Sequence, residues 1–144
     1  MSSDVSVPPP AVAPTAFFSR TFDEALALTS EARDYLAQYG EEDLRELPKD
    51  VGLHYSVESM RLTSRLTNVM AWLLVQRAAH EGELSYEELR RDEWRLGGHS
   101  VCMAEATVEP ERLPPIMADL LRRSENLFRR ISRLDEMVAR EDAS

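Results

Sequence analysis

The sequence predicts an all-α protein: an antiparallel three-helix bundle with one additional short helix, assembled as a homodimer. Three observations carry this. Apolar residues recur at alternating spacings of three and four over long stretches, the period of one helix face. Nowhere do apolar and polar residues alternate cleanly over a strand's length, and five glycines leave little material for turns between strands. Finally, the stretch Glu58 to Glu81 (ESMRLTSRLTNVMAWLLVQRAAHE) is apolar on too many sides for a surface helix and too polar for a membrane span.

Length and charge bound the rest. A chain of 144 residues is one domain's worth, and 43% hydrophobic with 30% charged residues is ordinary for a folded protein. The formal charge is −9, which argues against a broad phosphate-binding surface. From residue 111 onward seven arginines balance seven acids, so the excess acid lies before it. A single cysteine, Cys102, cannot close an internal disulfide, and no secretion signal or apolar 18-residue run occurs. A cytoplasmic protein with no membrane partner is expected.

In chain order, residues 1–16 form a Pro-rich tail that the composition reads as disordered, 17–140 a helical bundle domain, and 141–144 a short C-terminal tail. The first helix is expected to begin near Ser19 or Thr21, with Thr21 and Glu24 as a capping box, and to bury Phe18, Phe22, Ala25, Thr29, Ala32, Leu36 and Tyr39. Gly40 should end it. A polar connection over 41–50 leads to the central helix, which Asp50 or Ser56 would cap and Gly82 would stop. On that helix Leu62, Leu66, Val69 and Leu73 share one face, assigned to the dimer seam or the short helix. Met60, Ala71, Leu74 and Ala78 lie opposite, assigned to the subunit's own helices. Glu58, Arg61, Arg65, Asn68 and Gln76 form the narrow polar strip left to solvent.

Ser85 and Glu88 make a second capping box, which starts a short helix over 86–96 that ends at the Gly97-Gly98 pair. Residues 99–112 read as irregular. The last helix follows Pro114 and Pro115, with Leu113, Met117, Leu120, Ser124, Leu127, Ile131, Leu134 and Val138 as its core stripe. Ile116, Leu121 and Phe128 widen that stripe.

No catalytic constellation emerges from these residues. His99 and Cys102 have a metal-like spacing, but a zinc site needs about four ligands and neither His54 nor His80 brings a second cysteine. As a nucleophile and base the pair lacks an oxyanion site and an orienting group. The Gly97-Gly98 pair lacks the strand, glycine spacing and lysine of a phosphate loop. No cofactor or metal is expected. Opposite the leucines of the last helix, Arg122, Arg129, Arg133 and Arg140 fall within about 40° of one another. They could meet an acidic partner or phosphates, which leaves a nucleic-acid-binding regulator as the alternative function; the plain structural explanation is a solvated face tied by Glu125 and Glu136.

The phrases FFSRTFDEALALTSEARDYLA, ESMRLTSRLTNVMAWLLVQRAAHEGE and LPPIMADLLRRSENLFRRISRLDEMVA, in that order, resemble the RcdA family, the regulator of CtrA degradation of alphaproteobacteria. The resemblance covers about residues 17 to 140 and consists of helix surface, so it transfers no active site. It implies a dimeric three-helix bundle, not an enzyme, acting as a proteolytic adaptor with ClpXP and a CpdR-like response regulator. The cargo it implies is cell-cycle transcription factors such as CtrA, or a further adaptor that binds cyclic di-GMP. It also implies concentration at a cell pole. Some members carry a long flexible C-terminal extension, where here only about Glu141 to Ser144 follow the last helix.

Overall fold

A computed structural model describes residues 15–140. Among them there is no strand. The elements are α1 (Thr15–Glu46), α2 (Lys49–His80), a short α3 (Tyr86–Leu89), a 3-10 turn at Asp92–Trp94, a short α4 (His99–Cys102), a second 3-10 turn at Pro110–Arg112, and α5 (Pro115–Arg140). The expected tails lie outside the described residues, apart from Thr15 and Ala16, which open α1.

Both long helices run further than expected. α1 passes straight through Gly40, since nothing forces that glycine into a left-handed turn and its flanks are good helix formers. The last turns of α1 are held by Asp43, whose Oδ2 accepts hydrogen bonds from the hydroxyls of Tyr35 and, at 2.8 Å, Tyr55 of α2. Thr21 therefore lies inside the helix, buried, and caps nothing. The buried face of α1 runs through Phe18, Thr21, Ala25, Leu28, Ala32 and Tyr35. It is rotated from the expected face, so Phe22 and Leu36 are half-buried and Tyr39 is exposed.

Leu47 and Pro48 alone separate α1 from α2, with Pro48 in the N-cap position in place of Asp50 or Ser56. α2 spans 32 residues, a rod of about 48 Å. Gly82, at φ 81°, stops it as expected. The Ser85–Glu88 capping box is present in both directions, at 3.0 Å each way.

The antiparallel arrangement holds for α1 against each neighbour. Glu31 pairs with Arg123 and Glu24 with Arg130, so α1 and α5 run opposite ways. Between α2 and α5 it does not hold. Asp50 meets Arg112, Arg65 meets Leu121 and Ser124, and Trp72 meets Asp135, an order that makes the two helices parallel. Parallel neighbours need a crossover, and residues 81–114 supply it by retracing α2 from its C-terminal to its N-terminal end. Leu89, Leu96, Cys102, Val108 and Leu113 are the buried anchors of this return path. The single short helix expected over 86–96 is instead α3, a 3-10 turn, and α4 beyond the glycines.

The stripe of α5 follows the sequence pattern closely. Met117, Leu120, Ser124, Leu127, Phe128, Ile131 and Val138 are buried. Asp135 replaces Leu134 at one position, because its carboxylate accepts from Trp72 Nε1 at 2.9 Å and from Arg95 Nε at 3.0 Å.

Candidate functional site

The faces of α2 are exchanged relative to the sequence reading. Leu62, Leu66, Val69 and Leu73 are buried inside the chain at 0, 5, 0 and 1% exposure, which removes them from any seam with a second copy. Met60 and Leu74, assigned to the core, are 71% and 45% exposed. Leu53 and Val57 extend that bare row toward the start of α2. The strip assigned to solvent is the one covered: Glu58, Arg61, Arg65 and Gln76 are each at most 6% exposed.

The physical reason lies in the return path. An irregular segment carries backbone donors and acceptors that it cannot satisfy internally, and burying them against an apolar face would leave them orphaned. The polar strip satisfies them. Arg61 Nε donates to the Val101 carbonyl at 3.1 Å and Arg65 Nε to the Cys102 carbonyl at 2.9 Å, which caps the C-terminal end of α4. Glu58 Oε2 accepts from the backbone N–H and hydroxyl of Thr107, at 2.9 and 2.8 Å. Asn68 sits under the glycine pair. A Cβ on Gly98 would stand 2.6 Å from Asn68 Nδ2, and its φ of 83° also demands glycine.

Between this strip, the loop after α4 and the first half of α5 lies a groove of about 670 Å³. Glu58, Arg61 and Arg65 form its polar floor. Met103, Ala106, Val108, Leu113, Ala118 and Leu121 supply apolar walls, and Arg122, Glu125 and Arg129 stand along the α5 side. Arg65 Nη1 donates to the Leu121 carbonyl at 3.0 Å and to Ser124 Oγ at 3.1 Å. Its Nη2 makes no hydrogen bond among the described residues and lies 3.9 Å from Glu125 Oε1. Glu125 is committed elsewhere, accepting from Arg129 Nη2 at 2.7 Å.

Burial pushes the carboxyl pKa of Glu58 upward, but the hydrogen bonds from Thr107 and the charge of Arg61 outweigh this and hold it below the ordinary glutamate value. Burial lowers the pKa of Arg65, which Glu125 only partly offsets.

The arginine stripe is divided. Arg122 and Arg129 line the groove, paired with Asp119 and Glu125. Arg133 and Arg140 are exposed further along α5, without an ion pair among the described residues. Arg123 and Arg130, off the stripe, pair with Glu31 and Glu24 of α1 and depress those carboxyl pKa values through direct hydrogen bonds. With most of its cations neutralised by acids, this face offers few charges for phosphates.

His99 and Cys102 do not converge. Cys102 is fully buried, its Sγ directed at Ser64 Oγ at 3.5 Å, while His99 stacks edge-on against Phe128 and reaches Ser132. Among the described residues no group of three His, Cys, Asp or Glu side chains could hold a metal ion, and no helix is long and apolar enough to cross a membrane.

The buried Glu58–Arg61–Arg65 strip was missed because polar residues between apolar ones on a helix read by default as its wet side. One signal was available: long polar side chains at three- and four-residue spacing, on a chain whose following segment is irregular.

The family described as "Protein of unknown function (DUF1465)" matches residues 11–144. No curated protein matches the chain. Among solved structures, RcdA from Caulobacter crescentus CB15 is similar, at 38% identity and a TM-score of 0.71 over 88% of this chain and 93% of that one.

Proposed function

Since this chain belongs to the RcdA family, we propose that it is a non-enzymatic adaptor in regulated proteolysis, linking ClpXP and a CpdR-like response regulator to cell-cycle transcription factors such as CtrA. Cargo in this reading includes a further adaptor that binds cyclic di-GMP, and the site of action is the cytoplasm, concentrated at a cell pole. The observation that carries it is family membership along almost the whole helical chain, rather than through one local motif. Tethering raises the local concentration of substrate at the protease and needs no chemistry from the adaptor itself.

Two surfaces suit such a role. The bare row of Leu53, Val57, Met60 and Leu74 on α2 leaves large apolar side chains wet, as a site for another chain would. We assign the homodimer seam to this row. The arginine side of α5, Arg122, Arg129, Arg133 and Arg140, is the proposed partner-binding surface.

The test is a reconstituted degradation assay with ClpXP, the response regulator and a transcription-factor substrate. Substrate half-life should shorten only when this protein is present. An unchanged half-life, together with failure to bind either regulator or substrate in pull-downs, sinks the reading. Sedimentation equilibrium tests the seam: Met60→Glu with Leu53→Glu should leave only the 16.4 kDa species, and a dimer surviving both changes would move the seam elsewhere.

A further inference from the structure

The groove beside α5 has a feature that the pinning of the return path does not explain. At its floor two buried arginines, Arg61 and Arg65, face one buried carboxylate, Glu58, which is already engaged by Thr107 and Arg61. Each arginine has an Nη2 that makes no hydrogen bond among the described residues, and the nearest acid to that of Arg65 is 3.9 Å away and shared with Arg129. Arg61 is paired with Glu58, but buried Arg65 has only Glu125, 3.9 Å away, and an entering anion would relieve the cost of that loose pairing.

The walls restrict which anion. Met103, Ala106, Val108 and Leu121 make them largely apolar, so a bare phosphate would strand its remaining oxygens, whereas a carboxylate on an apolar body matches floor and walls together. The loop over 104–109 adds a second preference. Glu105, Ala106 and Val108 donate no backbone hydrogen bond among the described residues, while Ala104 is tied to the Val101 carbonyl and Thr107 to Glu58. Such a stretch can pair with the backbone of an extended peptide, as exposed edges do. The volume, about 670 Å³, also falls in the range of sites for short peptides rather than single ions.

We infer that this groove is a receptor for the C-terminal end of an apolar peptide, its free carboxylate seated on Arg65 and Arg61 and its side chains against Met103, Val108 and Leu121. This deepens the adaptor reading by naming a class of partner segment, yet the two fail separately. Degradation that depends on this protein without peptide binding would retain the adaptor and discard the groove, and peptide binding without any effect on degradation would do the reverse.

The experiment titrates the full chain with acetyl-Ala-Leu-Val-Ala as the free acid, as the C-terminal amide, and with sodium decanoate, following the Met103 methyl resonance. The free acid should bind and the amide should bind about tenfold more weakly, the loss of one charge-assisted contact. Ala118→Trp, which fills the groove, should abolish binding. Glu125→Gln, which removes the competing carboxylate at the surface, should tighten the acid several-fold and leave the amide unchanged. The last comparison decides the matter even if Ala118→Trp does not fold. Equal binding of acid and amide, no binding of either, or binding unaffected by a folded Ala118→Trp overturns the inference. Decanoate binding as tightly as the peptide overturns it too, in favour of a pocket for small amphipathic acids.

Discussion

The two sides of α2 invert the usual relation between polarity and exposure. On one side, Glu58, Arg61 and Arg65 are buried under a crossover of chain; on the other, Leu53, Met60 and Leu74 face solvent. The difference teaches that what covers a helix decides which residues it needs. Against another helix, whose backbone is self-satisfied, apolar residues suffice. Against an irregular segment, the helix must supply donors and acceptors for the segment's backbone. The wet leucines, Leu53 and Leu74, lie on the row proposed above as the homodimer seam.

Arg65 is where that contrast breaks most sharply. Replacing it by Met keeps the volume but orphans the Cys102 carbonyl and removes the charge-assisted bonds to the Leu121 carbonyl and Ser124, and should destabilise the fold by about 3–5 kcal/mol in urea unfolding. Met60→Ser on the opposite side should change the stability of the monomer by less than about 0.5 kcal/mol. Comparable losses at the two positions would mean that the strip is not what holds the return path.

The next effect in size is at the glycines. Gly98→Ala faces a left-handed backbone and a contact of 2.6 Å with the Asn68 amide, and should cost about 2–3 kcal/mol. Adding Asn68→Ala should recover only the part due to the clash, leaving about 1 kcal/mol of backbone strain. A double variant as stable as Asn68→Ala alone would show that Gly98 is kept for space rather than for its φ.

These glycines also mark how far the sequence was legible. Gly82 and the Ser85–Glu88 box gave true boundaries, because each acts through bonds to residues three or four positions away. Gly40 misled, since a glycine breaks a helix only when the chain must turn there, and Asp43 with its two tyrosines holds the chain helical. The stripe of α5 was readable because its core partners are apolar. The strip of α2 was not, because its partners are carbonyls some 40 residues away, which leave no trace in the local pattern. The same blindness hid the parallel course of α2 and α5. Of the candidate site, Arg122 and Arg129 were found from their spacing, while the floor beneath them was assigned to water.

Acid should expose a smaller effect from the covered side. The carboxylate of Glu58 has a folded pKa below its ordinary value, so its contribution is complete above about pH 4.5 and is lost as pH falls through the lowered folded value. Glu58→Gln should cost about 1–2 kcal/mol at pH 7, and its stability should fall less than that of the parent between pH 5 and pH 3. Parallel acid profiles for parent and variant would place the acid sensitivity elsewhere, for instance in the surface pairs of Glu24 and Glu31.

The smallest expected change is at Arg129, and it sharpens the comparison because Arg129 shares Glu125 with Arg65. Both are arginines beside the same carboxylate. Arg129 holds it at 2.7 Å, closer than Arg65 does, yet its side chain is 53% exposed and its partner 40%. Water screens that pair and solvates either member when the other is removed, so Arg129→Gln should change stability by no more than about 0.5 kcal/mol. Raising the salt concentration should erase even that difference, while leaving the loss from Arg65→Met nearly intact. The shorter ion pair is thus the weaker contributor, because Arg65 acts through the buried Cys102 carbonyl, which has no other donor among the described residues, and Arg129 through a charge that water can serve as well. A loss above 2 kcal/mol for Arg129→Gln would contradict this, and would mean that the groove is drier than the exposure of its rim implies.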